Sequence, residues 1–339
     1  MKKAIIIGIA ALSLSSCYKA ETVISGEPQE IGFKAVSSNA TKADAQLEGT
    51  LLTTAYSIYA SATQKNAEGT IENPAFFKDQ QFHTEDNPVT ASSQYRAWSG
   101  TEAAPVYWPI GGGIVDFIAY ALPTASHGTP AATYANEATD VASAVSFQNW
   151  NTYDNKVDLL YAVNNGATSA TSQTPAFVKL SFNHAQALLV FQAKVSAEDV
   201  ITINSITING LKVTGTFTVD NSRNELAAAW TGLEAVASKD KITEGADPAT
   251  DNIGELLDNT SAFEQVGSTL LIPEQPRLNF TINYTMGGKT MNYTYNEARG
   301  TWEMGKKYIY KLDMTLNEVI LTEEVSDFVD AALTDIPLN

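Results

Sequence analysis

Residues 278–302 read LNFTINYTMGGKTMNYTYNEARGTW, and they alternate on both sides of a glycine pair. Leu278, Phe280, Ile282, Tyr284 and Met286 come before Gly287-Gly288, and Met291, Tyr293 and Tyr295 come after it. A period of two sends neighbouring side chains to opposite faces of a sheet, whereas a helix needs a period near 3.6. Glycine accepts positive φ, so the pair predicts a two-residue hairpin turn. A chain built from such pieces folds by burying one face of each sheet.

The pattern recurs. YIYKLDMTL places Tyr308, Tyr310, Leu312 and Met314 on one face. KVTGTFTVD places Val213, Phe217 and Val219 together, with Gly215 at a bulge. FVKLSFNHAQALLVFQAKV reads as two strands broken between Asn183 and Gln186, and the apolar run IVDFIAYAL reads as a strand buried on both faces. QEIGFKAVSS alternates Ile31, Phe33 and Ala35. Helical patterns are few. NIGELLDNTSAF, residues 252–263, predicts a short one, and residues 61–105 and 239–252 read as loop-rich. The tail repeats Leu321, Val325, Val329 and Leu333, a spacing that fits a helix or one face of a strand. NNGATSATSQTPA, residues 164–176, is small, polar and uncharged, the composition of a linker between two strand-rich halves.

The sequence contains 1 cysteine in 339 residues, so disulfides cannot hold the fold together. Stability has to come from core burial. Lys2 and Lys3 precede an apolar run from Ala4 to Leu14 that is too short for a spanning helix. Leu14-Ser15-Ser16-Cys17 follows and resembles a bacterial lipobox. That resemblance implies cleavage before Cys17, lipidation of its thiol and a durable anchor of two or more acyl chains.

The charge is acidic, 21 Lys and Arg against 38 Asp and Glu, with no basic face for nucleic acid. His83, His127 and His184 are far apart, and no His-x-x-x-His or Cys-x-x-Cys spacing occurs, so no metal site is expected. His184 ends the strand pattern of Val178, Leu180 and Phe182 and reads as a hydrogen-bonded core or edge histidine. IGGGIVDF puts its glycines before a strand, where a turn is expected and a phosphate loop is not. No carboxylate spacing indicates a glycosidase pair, so neither an enzyme nor a cofactor is expected.

Several segments together resemble a family. YWPIGGGIVDFIAYALP, VDLLYA, VKLSFNHAQALLVFQAKV, LLIPEQP and WEMGKKYIYKLDMTLNEVIL follow one another in the order found in the fimbrillins of Bacteroidetes, pilins of the Mfa-like and FimA-like type. The resemblance covers about residues 30–330. It implies an all-β chain of two tandem transthyretin-like Greek-key β-sandwich domains. With the features above, the expected plan is a signal peptide at 1–16, a lipidated propeptide with a removable first strand at 17–42, and domains at 43–170 and 171–339.

The family also implies a mechanism. A protease removes the first strand at the cell surface, and a strand of another pilin subunit fills the groove left behind, giving a homo- or heteropolymer. The polar segment SSNATKADAQ follows the removable strand and carries the cleavage position, between Lys42 and Ala43. The family usually cuts after arginine, and here the residue is lysine. The expected place is the outer membrane and the fimbrium, and the expected role is adhesion. The rival reading is a monomeric outer-surface lipoprotein that binds glycans through aromatics such as Trp98, Trp150 and Trp230.

Overall fold

The computed structural model describes residues 28–37, 56–86, 93–100, 102–110, 112–123, 130–155, 157–169, 177–195, 200–222, 226–236, 241–242, 254, 256–257, 262–277, 279–296, 300–315 and 318–327. Cys17, Lys42, Ala43, Val329 and Leu333 lie outside these residues. The described part is almost entirely β, with one short helix, α1 (Thr152–Asn155).

The first strands are β1 (Gly32–Ser37), β2 (Tyr56–Lys65), β3 (Ile71–His83), β4 (Tyr95–Ser99), β5 (Glu102–Ala103), β6 (Ile114–Pro123) and β7 (Ala132–Tyr134). The middle ones are β8 (Ala144–Asn151), β9 (Leu160–Ala167), β10 (Phe177–His184), β11 (Ala187–Val195), β12 (Ile201–Ile208), β13 (Lys212–Asp220) and β14 (Ala227–Ala235). The last are β15 (Lys241–Ile242), β16 (Leu256–Leu257), β17 (Glu264–Leu271), β18 (Phe280–Met286), β19 (Lys289–Tyr295), β20 (Lys306–Met314) and β21 (Val319–Asp327).

The largest sheet runs β1-β10-β9-β6-β2-β3-β4-β5, and β1 also pairs with β4. Its pairings therefore close into a ring, with β1 as the closing strand. Inside the ring lies an apolar core that includes Ile58, Phe82, Phe117, Leu180 and Phe182. The outer face of the ring carries Tyr59, Ile118, Tyr120 and Leu122, which share a second core with Phe147, Phe217 and Trp230. Phe147, Phe217 and Trp230 belong to a second sheet, ordered β14-β13-β8-β7. β6 serves both cores, which explains why its sequence is apolar apart from Asp116. A third core lies among the strands of two further sheets, β17-β11-β20-β21 and β15-β12-β18-β19.

Local chemistry accounts for many of these elements. Gly287 and Gly288 have φ of 55° and 72° and connect Met286 to its partner Lys289, the two-residue turn expected from the sequence. The register of β13 shifts around Gly215, and an added Cβ there would meet the Leu233 side chain at 2.8 Å. The glycine thus combines a bulge with a close approach of neighbouring strands.

Two expectations need correction. Residues 61–105 hold much of β2 and all of β3, β4 and β5. Repeated register shifts between β2 and β3 break the period of two, so the pattern reads as a loop. No helix forms at Leu256–Leu257, which pair with β12 as β16, so strand pairing overrides the local pattern. Strands from both sides of residues 170 and 171 share sheets. β10 lies after them and pairs with β1 and β9, while β8 lies before them and pairs with β13. An uncharged polar stretch marks a connection, and here the described strands on either side of it are neighbours in one sheet.

Asp79 sits at φ 49° in β3 and accepts hydrogen bonds from the Tyr120 and Tyr134 hydroxyls at 2.6 and 3.2 Å. Burial, reinforced by the Asp79 charge, holds both phenols well above their ordinary pKa of 10.0. Burial raises Tyr95 and Tyr310 in the same direction, and burial with the nearby Glu274 charge pushes Tyr161 up to about 12. The sign of the linkage follows. Below pH 10 folded and unfolded chains both keep these protons; above it only the unfolded chain releases them, so stability falls as pH rises. The urea midpoint should be flat up to about pH 9.5 and drop steeply above about pH 10. Much of the phenolate absorbance should appear only as the fold is lost. Full phenolate absorbance in a chain that is still folded would contradict this.

Candidate functional site

The strand that closes the ring is also the first described strand of the chain, and it is held on three sides. On one side β1 runs parallel to β10, from Gly32 opposite Phe177 to Ser37 opposite Phe182. On the other, Gly32 and Phe33 pair with Arg96 and Tyr95 of β4. Just before β1, the Ile31 N–H donates to the Val106 carbonyl at 2.6 Å, and the Trp108 N–H donates to the Gln29 carbonyl at 2.9 Å. Residues 106–108 thus act as a short strap over the entry of the strand, with a bridge between Glu30 and Tyr107.

Alternation decides what the strand buries. Ile31, Phe33 and Ala35 point into the ring core and are buried. Phe33 sets its ring edge-on to Phe82 and Phe117, with centroids 4.5 and 5.4 Å apart. Burying Ile31 and Phe33 contributes roughly 3–6 kcal/mol in all. Lys34 points the other way and is half-buried. The side chains lining the slot are apolar, so its selectivity rests on shape and backbone pairing.

The entry end is the less satisfied one. Glu30 faces Arg96 at a loose 3.9 Å, and its other carboxylate oxygen is buried without a partner among the described residues. The indole N–H of Trp108 is likewise buried and unpartnered there. Such groups lower the cost of opening, so peeling should begin at this end.

If β1 left, one side of β10 and the end of β4 would lose their backbone partners and the slot would be wet. An open sheet edge beside an apolar trough is a template for a new strand. At the other end of the chain, β21 lies at the margin of its sheet and pairs with β20. Ion pairs hold it down: Arg277 to Glu323, Lys306 to Asp327 and Lys311 to Glu324, each at 2.6 Å. Leu321 and Val325, expected on a helix or a strand, stand on this strand.

The expected strand residues Ile31, Phe33 and Ala35 are thus brought together in one slot. Gly32 and its partner Phe177 did not stand out in the sequence, although a glycine inside an alternating pattern is a sign of close approach. Trp150 and Trp230 are buried in the second core, and Trp98 is half-buried with its indole N–H donating to the Gly100 carbonyl. No group of three or more His, Cys, Asp or Glu among the described residues is arranged to hold a metal. No described helix is long and apolar enough to cross a membrane.

The profile of a family described as fimbrillin-like matches residues 35–327. No curated protein matches the sequence. Among solved structures, the fold is similar to a fimbrial protein from Bacteroides vulgatus, with TM-score 0.56, 14% identity and 89% of this chain and 100% of that one covered. It is similar to a candidate cell adhesion protein from Bacteroides uniformis, with TM-score 0.50, 15% identity and coverage of 88% and 98%. A candidate cell adhesion protein from Bacteroides ovatus gives TM-score 0.50, 15% identity and coverage of 89% and 98%.

Proposed function

This chain belongs to the fimbrillin-like family, and from that premise we propose that it is a structural subunit of a cell-surface fimbria that serves adhesion. Its precursor is anchored to the outer membrane through lipid on Cys17. Cleavage between Lys42 and Ala43 frees β1, and a strand of another subunit takes its place. The observation that carries this reading is the position of β1. It closes a ring of pairings and fills an apolar slot, yet it lies ahead of the expected cleavage position in the sequence. One cut there would separate it covalently from the strands it pairs with. Those strands bury a core of their own beyond what β1 contributes, so their fold should persist.

The reading agrees with the fimbrial and adhesion descriptions of the similar structures. A monomeric glycan-binding lipoprotein finds less support, because Trp150 and Trp230 are spent on packing rather than presented as sugar platforms. The test is made on whole cells. Unboiled extracts should show this chain in a ladder of bands that collapses on boiling, and deleting the gene should remove surface fibres. A chain that runs as a monomer without boiling, on cells whose fibres survive the deletion, would end the proposal. The anchor has a separate test. Cys17→Ala should abolish incorporation of labelled fatty acid, and undiminished labelling would remove the lipid from the scheme.

A further inference from the structure

β1 carries a glycine where its neighbours leave no room for a side chain. An added Cβ on Gly32 would lie 2.6 and 2.7 Å from two ring carbons of Phe177 and 3.2 Å from the Tyr95 carbonyl oxygen. Ordinary carbon contacts are about 3.5–4.0 Å, so the ring would have to swing away and the β4 backbone would have to yield. Gly32 has no positive φ, so its backbone conformation does not demand glycine; the space does. Phe177 is its direct cross-strand partner, and the ring lies over the bare Cα. Lys34, two residues on and on the same face, brings its ammonium to 6.0 Å from the ring centroid. Beyond Gly32, Phe33 drives its ring into the core between Phe82 and Phe117.

We propose that Phe177 acts as a gate on this groove, admitting a strand that reads aliphatic, glycine, aromatic, and that the natural occupant comes from a different protein. The inference rests on the reading that β1 is replaceable. It goes further because this chain cannot supply such a strand from elsewhere. Of its 21 glycines, Gly32 alone adjoins a Phe, Tyr or Trp, so no other segment fits in either direction. After Gly305 the sequence has no glycine, and the smallest side chains of residues 319–339 are those of Ser326, Ala331 and Ala332. Each carries the Cβ that the gate disfavours, and none has an aromatic residue beside it. A second copy that has lost β1 has therefore nothing suitable to donate. Copies of this chain do not polymerise with one another through this groove. The partner is a subunit of different sequence with an extended aliphatic–glycine–aromatic segment.

The experiment uses the full chain nicked with trypsin in the segment after β1. Dye-labelled peptides are offered in excess: residues 28–38 unchanged, the same peptide with Gly32→Ala, and residues 319–333. The unchanged peptide should enter, the alanine peptide should enter about tenfold less well, and the tail peptide should not enter. The nicked protein alone should remain monomeric in light scattering. In a Phe177→Ala chain most of the difference between the glycine and alanine peptides should vanish, the remainder being the 3.2 Å approach to the Tyr95 carbonyl. In the intact chain, Gly32→Ala and Phe177→Ala together should lower the thermal midpoint by less than the sum of their separate effects. Equal entry of glycine and alanine peptides into the unaltered chain, or displacement by the tail peptide, overturns the gate while leaving replacement intact. If the unchanged peptide also fails to enter, replacement itself is wrong and the gate falls with it.

Discussion

His184→Ala should lower the unfolding free energy by about 3–5 kcal/mol, among the largest effects a single change can have here. The His184 Nδ1 lies 2.6 Å from Asp158 Oδ2, and the two side chains are 2% and 1% exposed. The other Asp158 oxygen has no partner among the described residues, so the carboxylate depends on the imidazole. Truncating the histidine strands a buried charge, which costs far more than the pair contributes when whole. The damage would also spread. Just after His184, the Ala185 N–H donates to the Leu159 carbonyl and the Ala185 carbonyl accepts the Trp230 indole N–H. Gln186 accepts the Leu159 N–H through its side chain and the Gly305 N–H through its carbonyl. The link between β10 and β11 thus ties the ring to β14 and to the turn before β20. Urea unfolding should show the loss, and adding Asp158→Asn to His184→Ala should recover part of it by removing the stranded charge. A loss below about 1 kcal/mol for His184→Ala would mean that water reaches the site and the pair is not sealed.

Legibility followed the range of the interaction. The Gly287-Gly288 turn, the faces of β13 and β20, the double burial of β6 and the break between β10 and β11 depend on neighbours in sequence, and all stood in the pattern. So did the slot side of β1, because Ile31, Phe33 and Ala35 alternate. What could not be read was who pairs with whom. Nothing local says that β8 joins β13 across an intervening polar stretch, or that Val106 and Trp108 strap the entry of β1. β3 was illegible for another reason. Asp79 sits at positive φ and its N–H donates to the Ser61 hydroxyl, so polar residues serve an interior network and the period is lost. Gly32 was visible as a glycine, but its meaning lay in Phe177, a residue more than a hundred positions away.

The other large effect concerns the hold of the slot on β1. Phe33→Ala removes a fully buried ring and its edge-on contacts with Phe82 and Phe117. Such truncations cost about 3–5 kcal/mol, because the lost transfer energy is joined by a cavity that the rigid ring cannot close. In the intact chain β1 is tethered, so the loss should appear as a lower urea midpoint. In the nicked chain the same loss falls on dissociation. A strand leaving its groove has given up most of its contacts at the barrier, so weaker binding shows mainly as a faster off-rate. At about 1.4 kcal/mol per decade, release of the nicked strand should accelerate about a hundredfold to a few thousandfold. Lys34→Gln, on the opposite face, should change release by less than about threefold. The rates can be followed by mass spectrometry of the freed fragment or by entry of labelled competitor. If Phe33→Ala and the unaltered strand leave at the same rate, the slot does not grip through its apolar floor. Its hold would then rest on the backbone pairing with β10 and β4, and any extended segment that satisfied those two edges could serve as occupant.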